Sequence, residues 1–394
     1  MIQHKMLRTI HDEPIPIKLW LNDIEPGALQ QARNLARLPF AFSHIALMPD
    51  CHEGFGMPIG GVMATKNVII PNAVGVDIGC GMCAVQTSLE NISRSSLEKI
   101  MRSISQVIPV GFKHHSKPPD TGRMPKRKTL DDMPVVAREY QSATCQIGTL
   151  GGGNHFIEIQ KGSDGKIWIM VHSGSRNIGK QVADFYNRMA VQLNEQWKSP
   201  VPGSSQLAYL PFDSREGLQY FSEMNYCIDF ALENRKLMMD FILEIFHDHF
   251  KEGFRSAPLI NIAHNYASVE THFGSRVVVH RKGATKASVD TTGIIPGSQG
   301  ANSYIVKGKG NPESFESCSH GAGRRMGRKE AIRKLNLVEE VSKLESQGIL
   351  HALRKPGDLE EAMGAYKDIS VVMKNQDDLV DVLVELKPLA VIKG

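Results

Sequence analysis

The sequence predicts an α+β protein that forms one large domain. With 394 residues the chain is long enough to bury a sizeable core, and its 41% hydrophobic and 22% charged residues are typical of a soluble globular protein. Helical spacing and short β-like runs both occur along the chain. Glycine-rich segments recur over its whole length instead of in one block, and this argues against two separate domains.

The elements of the first half follow from local patterns. Residues 1–43 form a less distinctive N-terminal part, predicted as mixed helix and loop, with a helix over 25–38 after a proline-containing start. Short β-like runs alternate with glycine turns between 44 and 90. A serine that can act as N-cap begins the helix predicted over 93–105. Prolines, glycines and basic residues predict a loop over 111–128.

The second half is predicted in the same way. A β-rich stretch covers 145–172, and a long helix covers about 216–252. The Met and aromatic stripe of this helix indicates core packing rather than a cofactor site. Further β-like runs follow over 277–308. The C-terminal part, from 324 to the end, is predicted to be mostly helical.

Composition and charge limit the classes of function. The formal net charge is +4, which excludes a globally basic nucleic-acid coat, so that any site for a polyanion must be local. The N-terminus lacks the apolar stretch of a signal peptide, and no apolar run approaches the ~18 residues of a membrane span. We therefore expect a soluble, cytoplasmic protein with no membrane partner. Six cysteines are too few for a disulfide scaffold, and a single CxxC pair argues against a zinc ribbon.

The first candidate site combines residue types that bind metals. Asp77 and Cys80 lie three residues apart in a glycine-dense turn, and a thiolate beside a carboxylate suits manganese, iron or zinc. His155 follows a run of glycines, whereas His172 and His264 each follow a short apolar run. Taken singly, Cys80 is better explained as a buried cysteine in a turn, and His172 and His264 as ordinary core or surface histidines. Their joint presence indicates a metal site, although no local spacing motif ties them together.

The second candidate site consists of glycine- and serine-rich loops. The segments 148–159, 296–304 and 318–328 carry backbone N–H and hydroxyl groups of the kind that hold phosphate oxygens. His320 lies between small residues, so a large ligand can reach its imidazole, which is then a nucleophile toward phosphorus. Arg324 is placed to neutralise phosphate charge. A simple β-turn and an ordinary loop histidine are the alternative interpretations.

These glycine-punctuated motifs occur in the order found in the RtcB family of RNA ligases, which the chain resembles from about residue 44 to 394. The motifs that carry the resemblance are MPDCHEGFGMPIGG, NAVGVDIGCGM, QIGTLGGGNHFIEI, VHSGSRNIG, AHNYA, HRKGATKA, IPGSQGANSY, SHGAGR, AYKD and VIKG. The sequence departs from the family at Gly327, where a serine is common, and around His114 and His115, which do not align. Neither departure touches a mapped ligand.

The resemblance implies one catalytic domain over residues 1–394, with mixed β-sheets flanked by helices. It implies an enzyme that uses GTP and two Mn²⁺ ions to join RNA ends bearing a 2′,3′-cyclic phosphate or 3′-phosphate to 5′-hydroxyl ends, in tRNA splicing or RNA repair. The implied partners are GTP and RNA with broken or spliced ends, such as tRNA or rRNA fragments. The need for an accessory activator protein stays open.

Metal ligands carry over from the family by position. Asp77, Cys80 and His155 match the ligands of one metal ion. Cys80, His172 and His264 match those of the second, so that Cys80 bridges the two ions.

The nucleotide site carries over in the same way. His320 matches the catalytic histidine that becomes guanylylated, before GMP passes to the RNA 3′-phosphate. The positions that match nucleotide contacts are Asn154, His155, Phe156, Ile157, Glu158, His264, Asn265, Pro296, Gly297, Ser298, Gln299, Ser303, His320, Gly321, Ala322, Gly323, Arg324, Tyr366 and Lys393. Lys393 matches the residue that reads the guanine carbonyl.

Two other functions share parts of this pattern. A metal-dependent cyclic phosphodiesterase acting on RNA ends would use the metal site but would not need His320. A non-catalytic RNA-binding relative would bind RNA and catalyse no reaction. A protein–GMP adduct separates a ligase from the first, and sealing of RNA ends separates it from the second. Basic residues within 113–128 and 324–334 are hypothesised to contact RNA phosphates, with ordinary solvated loops as the alternative.

Overall fold

The computed structural model describes residues 6–126 and 132–394. The strands are β1 (Arg8–Ile10), β2 (Ile17–Leu19), β3 (Ala41–His52), β4 (Ile59–Thr65), β5 (Val68–Ile69), β6 (Gly81–Gln86), β7 (Phe156–Gly162), β8 (Ile167–Ser173), β9 (Leu210–Pro211), β10 (Ile260–Ala263), β11 (Asn265–His272), β12 (Ser275–Lys282), β13 (Ala284–Lys286), β14 (Thr292–Ile295), β15 (Ser303–Gly308), β16 (Ser317–Ser319) and β17 (Val380–Lys393). The α-helices are α1 (Pro26–Ala36), α2 (Pro71–Val74), α3 (Arg94–Val107), α4 (Pro134–Ala143), α5 (Arg176–Gln196), α6 (Arg215–Phe250), α7 (Arg328–Lys334), α8 (Leu337–Ser346) and α9 (Ile369–Lys374). Short 3₁₀ helices lie at Thr121–Arg123, Gly203–Ser205, Pro312–Ser314, Pro356–Glu361 and Met363–Ala365.

Two large sheets organise these elements. The first has the strand order β1-β2-β3-β4-β12-β11 and is mixed, because β2 and β3 run parallel while the other neighbours are antiparallel. The second has the order β10-β6-β8-β7-β17-β15-β14 and is antiparallel throughout. Helices pack against both sheets, so the predicted α+β class is confirmed.

The long helix predicted in the second half is α6. It begins after Ser214, whose side chain accepts a hydrogen bond from the backbone N–H of Gly217 at 3.0 Å and so caps the first turn. Met224, Phe230 and Met238 are fully buried, which confirms the prediction that the Met and aromatic stripe is core. Among the described residues, no helix combines the length and the apolar composition needed to cross a bilayer.

Two predictions of local structure are wrong. The C-terminal part contains the short helices α7, α8 and α9, but residues Val380–Lys393 form the long strand β17. Its alternating valines suit a strand, and pairing with both β7 and β15 stabilises it. The N-terminal part, predicted as helix and loop, also contains β1 and β2, and β2 is held by its parallel pairing with β3. In both cases long-range pairing decides the structure, and local patterns do not show it.

Two further segments follow the predictions. The helix α3 has Ser93 as its N-cap, since its Oγ atom accepts a hydrogen bond from the N–H of Ser96 at 3.2 Å. The described part of 111–128 is irregular apart from the 3₁₀ turn at Thr121–Arg123. Residues 127 and 128 lie outside the described residues, as does that end of the predicted RNA-binding segment.

Strand ends of the second sheet bring the candidate site together. Cys80 directly precedes β6, His155 precedes β7 and His264 follows β10. His172 lies in β8, where it pairs with Phe156 of β7, and Phe156 pairs in turn with Lys393 of β17. Side chains far apart in sequence therefore meet at one place in the sheet.

Candidate metal and nucleotide site

One large cavity of about 1460 Å³ receives side chains from both sheets. The second sheet contributes Cys80 and His172, and the first contributes the turn between β3 and β4 together with Lys282 of β12. His320, which directly follows β16, lines the same cavity. The sequence-predicted metal and phosphate residues therefore share one site.

A compact group of buried ligand atoms lies in this cavity. The ligand atoms of Cys80, His155 and His172 all lie within 4.8 Å of one another. The Sγ atom of Cys80 is 3.5 Å from Nε2 of His155 and 3.3 Å from Nε2 of His172. Oδ2 of Asp77 lies 3.0 Å from the same Nε2 of His155. These separations suit atoms that surround one cation.

Backbone carbonyls fix which nitrogen of each imidazole faces the group. Nδ1 of His155 donates to the carbonyl oxygen of Leu150 at 2.9 Å, and Nδ1 of His172 donates to that of Asn154 at 3.2 Å. Nε2 of each ring therefore faces the group, and it can bind a metal cation when it carries no proton.

His264 joins the group from a neighbouring strand end. Its ring centroid is 5.2 Å from that of His172 and 4.8 Å from that of His320. Its Nδ1 atom is buried and has no hydrogen-bond partner among the described residues, as expected for a nitrogen that binds a metal. His264 therefore lies between the ligand group and the candidate nucleophile.

The protonation states suit a metal site. Burial lowers the pKa values of His172 and His264, so both imidazoles are neutral, which is the form that binds metals. Burial opposes ionisation of Asp77, but the hydrogen bond and charge of His155 outweigh it and bring the pKa of Asp77 to about 2. Burial and the Asp77 charge raise the pKa of the Cys80 thiol, so a thiolate here requires a cation. The mixed sulfur, nitrogen and oxygen donors fit manganese, iron or zinc better than magnesium.

The glycine run before His155 makes the bend that the site needs. Gly151 has φ +94°, and a Cβ atom there would lie 2.0 Å from Nη1 of Arg176 and 2.7 Å from Nδ1 of His155. The bend places His155 outside β7, so that its side chain and that of Glu158 no longer follow strict alternation. Glu158 lines the cavity, whereas His155 is not among its lining residues and joins the ligand group of Cys80 and His172.

We expect Gly151→Ala to lower the free energy of unfolding by about 1–3 kcal/mol, since it combines backbone strain with a steric clash. Gly165→Ala is the matched control, because Gly165 has φ +78° with nothing within 4 Å of a Cβ atom. Urea unfolding compares the two variants, and Mn²⁺ binding should fall only for Gly151→Ala. An equal decrease in the free energy of unfolding for the two variants would contradict the role assigned to the clash.

A buried carboxylate of β3 positions His320. Oδ2 of Asp50 accepts hydrogen bonds from Nδ1 of His320 at 2.7 Å and from the backbone N–H groups of His320 and Gly321 at 3.0 and 3.2 Å. Burial opposes ionisation of Asp50, but the charge and hydrogen bond of His320 hold its pKa below the usual value. In the neutral ring this hydrogen bond keeps the proton on Nδ1, so that Nε2 has the free lone pair and is the nucleophilic atom.

Sequence reasoning missed Asp50, although it lies within the motif MPDCHEGFGMPIGG. The available signal was a single carboxylate in the fully buried second half of β3. A buried charge in a strand requires a partner, and here the partner is His320.

The strands β7 and β17 form another part of the cavity wall. Nζ of Lys393 donates to the carbonyl oxygen of Asn154 at 3.4 Å and lies 5.4 Å from the ring centroid of Phe156. Burial lowers the pKa of Lys393. Burial raises the pKa of Glu158 to about 8, although its hydrogen bond with Gln160 and the charge of Lys393 oppose the rise. A carboxyl group and an ammonium group thus flank a space suited to a polar ring.

Glu361, also missed from the sequence, ties this side together. Its carboxylate accepts hydrogen bonds from the hydroxyl of Tyr366 and, at 3.2 Å, from Nη1 of Arg324. The other donors of Arg324 bind the carbonyl oxygens of Met326 and Glu360. Arg324 therefore orders the cavity wall, and its guanidinium is engaged by protein oxygens instead of standing free for phosphate.

The remaining predicted nucleotide contacts form two groups. Asn265 and the segments 296–299 and 321–323 line the cavity. The side chain of Ile157 instead packs in the hydrophobic core, and Ser303 is buried, where its Oγ atom accepts a hydrogen bond from a backbone N–H at 3.1 Å. The structure therefore does not bring these two side chains to the cavity.

Comparison with known proteins agrees with this geometry. A family model described as tRNA-splicing ligase RtcB matches residues 31–130 and 119–394. The RNA-splicing ligase RtcB of Escherichia coli (strain K12) is 38% identical over 414 residues, which cover 97% of this chain and 98% of the relative. The tRNA-splicing ligases RtcB of Thermococcus kodakarensis and Nanoarchaeum equitans are 32% and 31% identical, covering 93% and 96% of this chain and 91% and 95% of the relatives. The chain therefore belongs to the RtcB family.

Proposed function

We propose that this protein is an RNA ligase that uses GTP and Mn²⁺ to join 2′,3′-cyclic-phosphate or 3′-phosphate ends to 5′-hydroxyl ends. The observation that carries the proposal is His320, whose Nδ1 is fixed by Asp50 and whose ring lies beside His264. A phosphate group bound to His320 is therefore next to the candidate metal ligands. The names of the relatives, RNA-splicing and tRNA-splicing ligase, support an RNA substrate in splicing or repair.

Two divalent ions fit the ligand group. Asp77, Cys80 and His155 would hold one divalent ion, and Cys80, His172 and His264 would hold a second. Bound there, the ions supply positive charge that stabilises negative charge on the phosphates and on departing pyrophosphate.

The protein residues direct each bond change. Nε2 of His320 attacks the α-phosphorus of GTP, so that an N–P bond forms as the bond to pyrophosphate breaks. The Nδ1 proton stays on His320, where Asp50 stabilises the positive charge of the ring. An oxygen of the RNA 3′-phosphate, freed by hydrolysis when the end is cyclic, then displaces His320 from that phosphorus. The 5′-hydroxyl oxygen finally attacks the activated RNA phosphate, GMP leaves, and the hydroxyl proton passes to solvent.

The nucleotide and the RNA use different parts of the cavity wall. Glu158 and Lys393 flank the guanine, with Tyr366 and the segments 296–299 and 321–323 around the nucleotide. Arg325, Arg328, Lys329 and Arg333 also line the cavity and supply local positive charge for RNA phosphates. This placement supports the basic segment 324–334 as an RNA contact. We further propose that residues 1–394 form one catalytic domain and that the protein acts in the cytoplasm.

The test is to incubate the protein with α-³²P-GTP and Mn²⁺ and to look for a labelled protein adduct, together with sealing of paired cyclic-phosphate and 5′-hydroxyl RNA strands. Both products are expected. Cyclic-phosphate opening without an adduct identifies a phosphodiesterase instead. RNA binding without either product identifies a non-catalytic relative. Magnesium in place of manganese is expected to support much less adduct, because thiolate and imidazole ligands disfavour it.

We expect Asp50→Asn to slow adduct formation by about 10²- to 10⁴-fold, because an amide at this position no longer fixes the Nδ1–H tautomer or stabilises a charged imidazole. Single-turnover guanylylation measured against pH separates this effect from unfolding, since a positioning role also changes the pH profile. Full activity of Asp50→Asn would contradict the assigned role. Asp50→Glu is expected to recover part of the rate.

A further inference from the structure

The cavity extends past His320 to a wall that none of the predicted nucleotide contacts forms. Its volume of about 1460 Å³ exceeds the 300–1,000 Å³ common for a site that binds one small ligand. We call the additional surface the Phe55 wall, and its residues are Phe55, Asn72, Val76, Val191 and Gln206. A second ligand group has room beside the nucleotide.

Apolar side chains of this wall are exposed to the cavity space. Phe55 is 74% exposed, Val76 is 55% exposed and Val191 is 39% exposed. Single exposed apolar residues are common on protein surfaces, but three that line one cavity mark a place where apolar ligand surface is buried. The flat ring of Phe55 suits another flat ring.

The backbone that carries Phe55 is held in place. Its carbonyl oxygen accepts a hydrogen bond from Nζ of Lys282 at 2.6 Å and another from the N–H of Met57 at 2.8 Å. Nζ of Lys282 also donates to the carbonyl oxygen of Asn72 at 2.9 Å, which joins two parts of the wall. Gly56 has φ +68°, and a Cβ atom there would meet the carbonyl oxygen of Gln206 at 2.7 Å. A turn fixed in this way presents its aromatic ring with little ordering cost.

This anchor lies next to the nucleophile. Gly283 follows Lys282, and a Cβ atom on Gly283 would lie 3.0 Å from Cε1 of His320 and 2.3 Å from Ile59. Lys282, whose side chain holds the Phe55 carbonyl, is therefore adjacent in sequence to a residue that packs against the imidazole of His320.

The charged groups near the Phe55 wall favour binding of a base over binding of a phosphate. The ammonium of Lys282 is engaged by two carbonyl oxygens, and the nearby cavity residues Glu25 and Glu53 are acidic. Apart from Lys282 and Lys393, the lysines and arginines that line the cavity come from 324–333. An RNA end therefore finds its phosphate partners in that basic segment and an uncharged, partly aromatic surface here.

We propose that Phe55 is a stacking platform for the base of the RNA nucleotide that carries the 3′-phosphate. This inference rests on the proposed function, in which that phosphate attacks the phosphorus on His320. Its nucleoside must then lie in the cavity that His320 lines, and the Phe55 wall is an apolar surface of the same cavity. Stacking tolerates any base, which suits an enzyme that seals ends of differing sequence.

The test measures transfer of GMP from preformed adduct to an RNA 3′-phosphate in a single turnover, with each rate divided by the amount of adduct. Phe55→Ala is expected to raise the RNA concentration for half-maximal transfer by about 5- to 150-fold, whereas Phe55→Trp retains binding. An RNA whose 3′-terminal nucleotide is abasic should bind wild-type protein weakly and show no further loss with Phe55→Ala. Leu218→Ala, at an exposed position on α6 outside the cavity, is the matched control and should change nothing.

Three outcomes overturn the proposal. The first is an unchanged RNA requirement in Phe55→Ala. The second is an equal loss with the normal and the abasic RNA. The third is a sealing defect of Phe55→Ala, relative to the wild-type protein, that vanishes only with a 5′-hydroxyl strand whose first nucleotide is abasic. Phe55 would then stack on the base of that strand instead. Absence of any adduct in the wild-type protein contradicts the proposed function, and is thus distinguished from a failure of stacking.

Discussion

Replacing Cys80 by alanine is expected to remove both metal ions at once and to lower adduct formation at least about 100-fold. The Sγ atom is 3.3 to 3.5 Å from the imidazole nitrogens of both His155 and His172, so its loss affects both halves of the ligand group. Mn²⁺ content per chain after equilibrium dialysis measures the loss directly. We expect two ions in the wild-type protein and fewer than one in Cys80→Ala.

Cys83→Ala is the control for this experiment. Cys83 lies in β6, three residues from Cys80, and its buried side chain packs in the hydrophobic core. Its truncation is expected to lower stability through lost packing while leaving two ions bound. Loss of one ion only in Cys80→Ala would show that this thiolate does not bridge. Equal metal loss in both variants would point to a site built on the CxxC pair.

The second large effect is expected for His320→Ala, which should abolish the labelled protein–GMP adduct and RNA sealing. No other described side chain combines an imidazole lone pair, an Asp50 partner and a place beside His264, so we expect no substitute nucleophile. Gel electrophoresis after incubation with α-³²P-GTP measures the adduct. The variant should still bind two Mn²⁺ ions, because His320 is not among their proposed ligands.

His247→Ala controls for the general effect of removing a histidine, since His247 is exposed in the last turn of α6. It should form the adduct at the wild-type rate. A labelled adduct in His320→Ala would place the nucleophile elsewhere. Retained sealing without any adduct would exclude the covalent route.

Local patterns predicted those parts of the fold whose structure is decided locally. The helices α1, α3 and α6 follow from apolar spacing and caps, and the cap at Ser93 occurs as expected. The strand β17 was assigned to a helical region because its partners, β7 and β15, are distant in sequence. Its central position in the sheet depends on pairing that a local window does not contain.

Candidate site residues were recognisable by chemical type, but their supports were not. Cys80 and His172 stood out as metal-binding residue types, and the structure places them together with His155. Asp50 and Glu361 are not recognisable from the sequence, because each acts on a side chain outside its own element. Asp50 binds His320, 270 residues away, and Glu361 binds Arg324, 37 residues away. Their importance is visible only when the partner's position is known.

The late strand β17 has a consequence for biosynthesis. Until residues 380–393 leave the ribosome, the growing second sheet is split into β10-β6-β8-β7 and β15-β14, each with an unpaired edge. Such edges invite pairing with other chains, and contacts between distant segments form slowly. Nascent or prematurely terminated chains are therefore expected to depend on chaperones. The cavity proposed to bind GTP is lined by Lys393, so it is complete only after nearly all of the described chain has been translated.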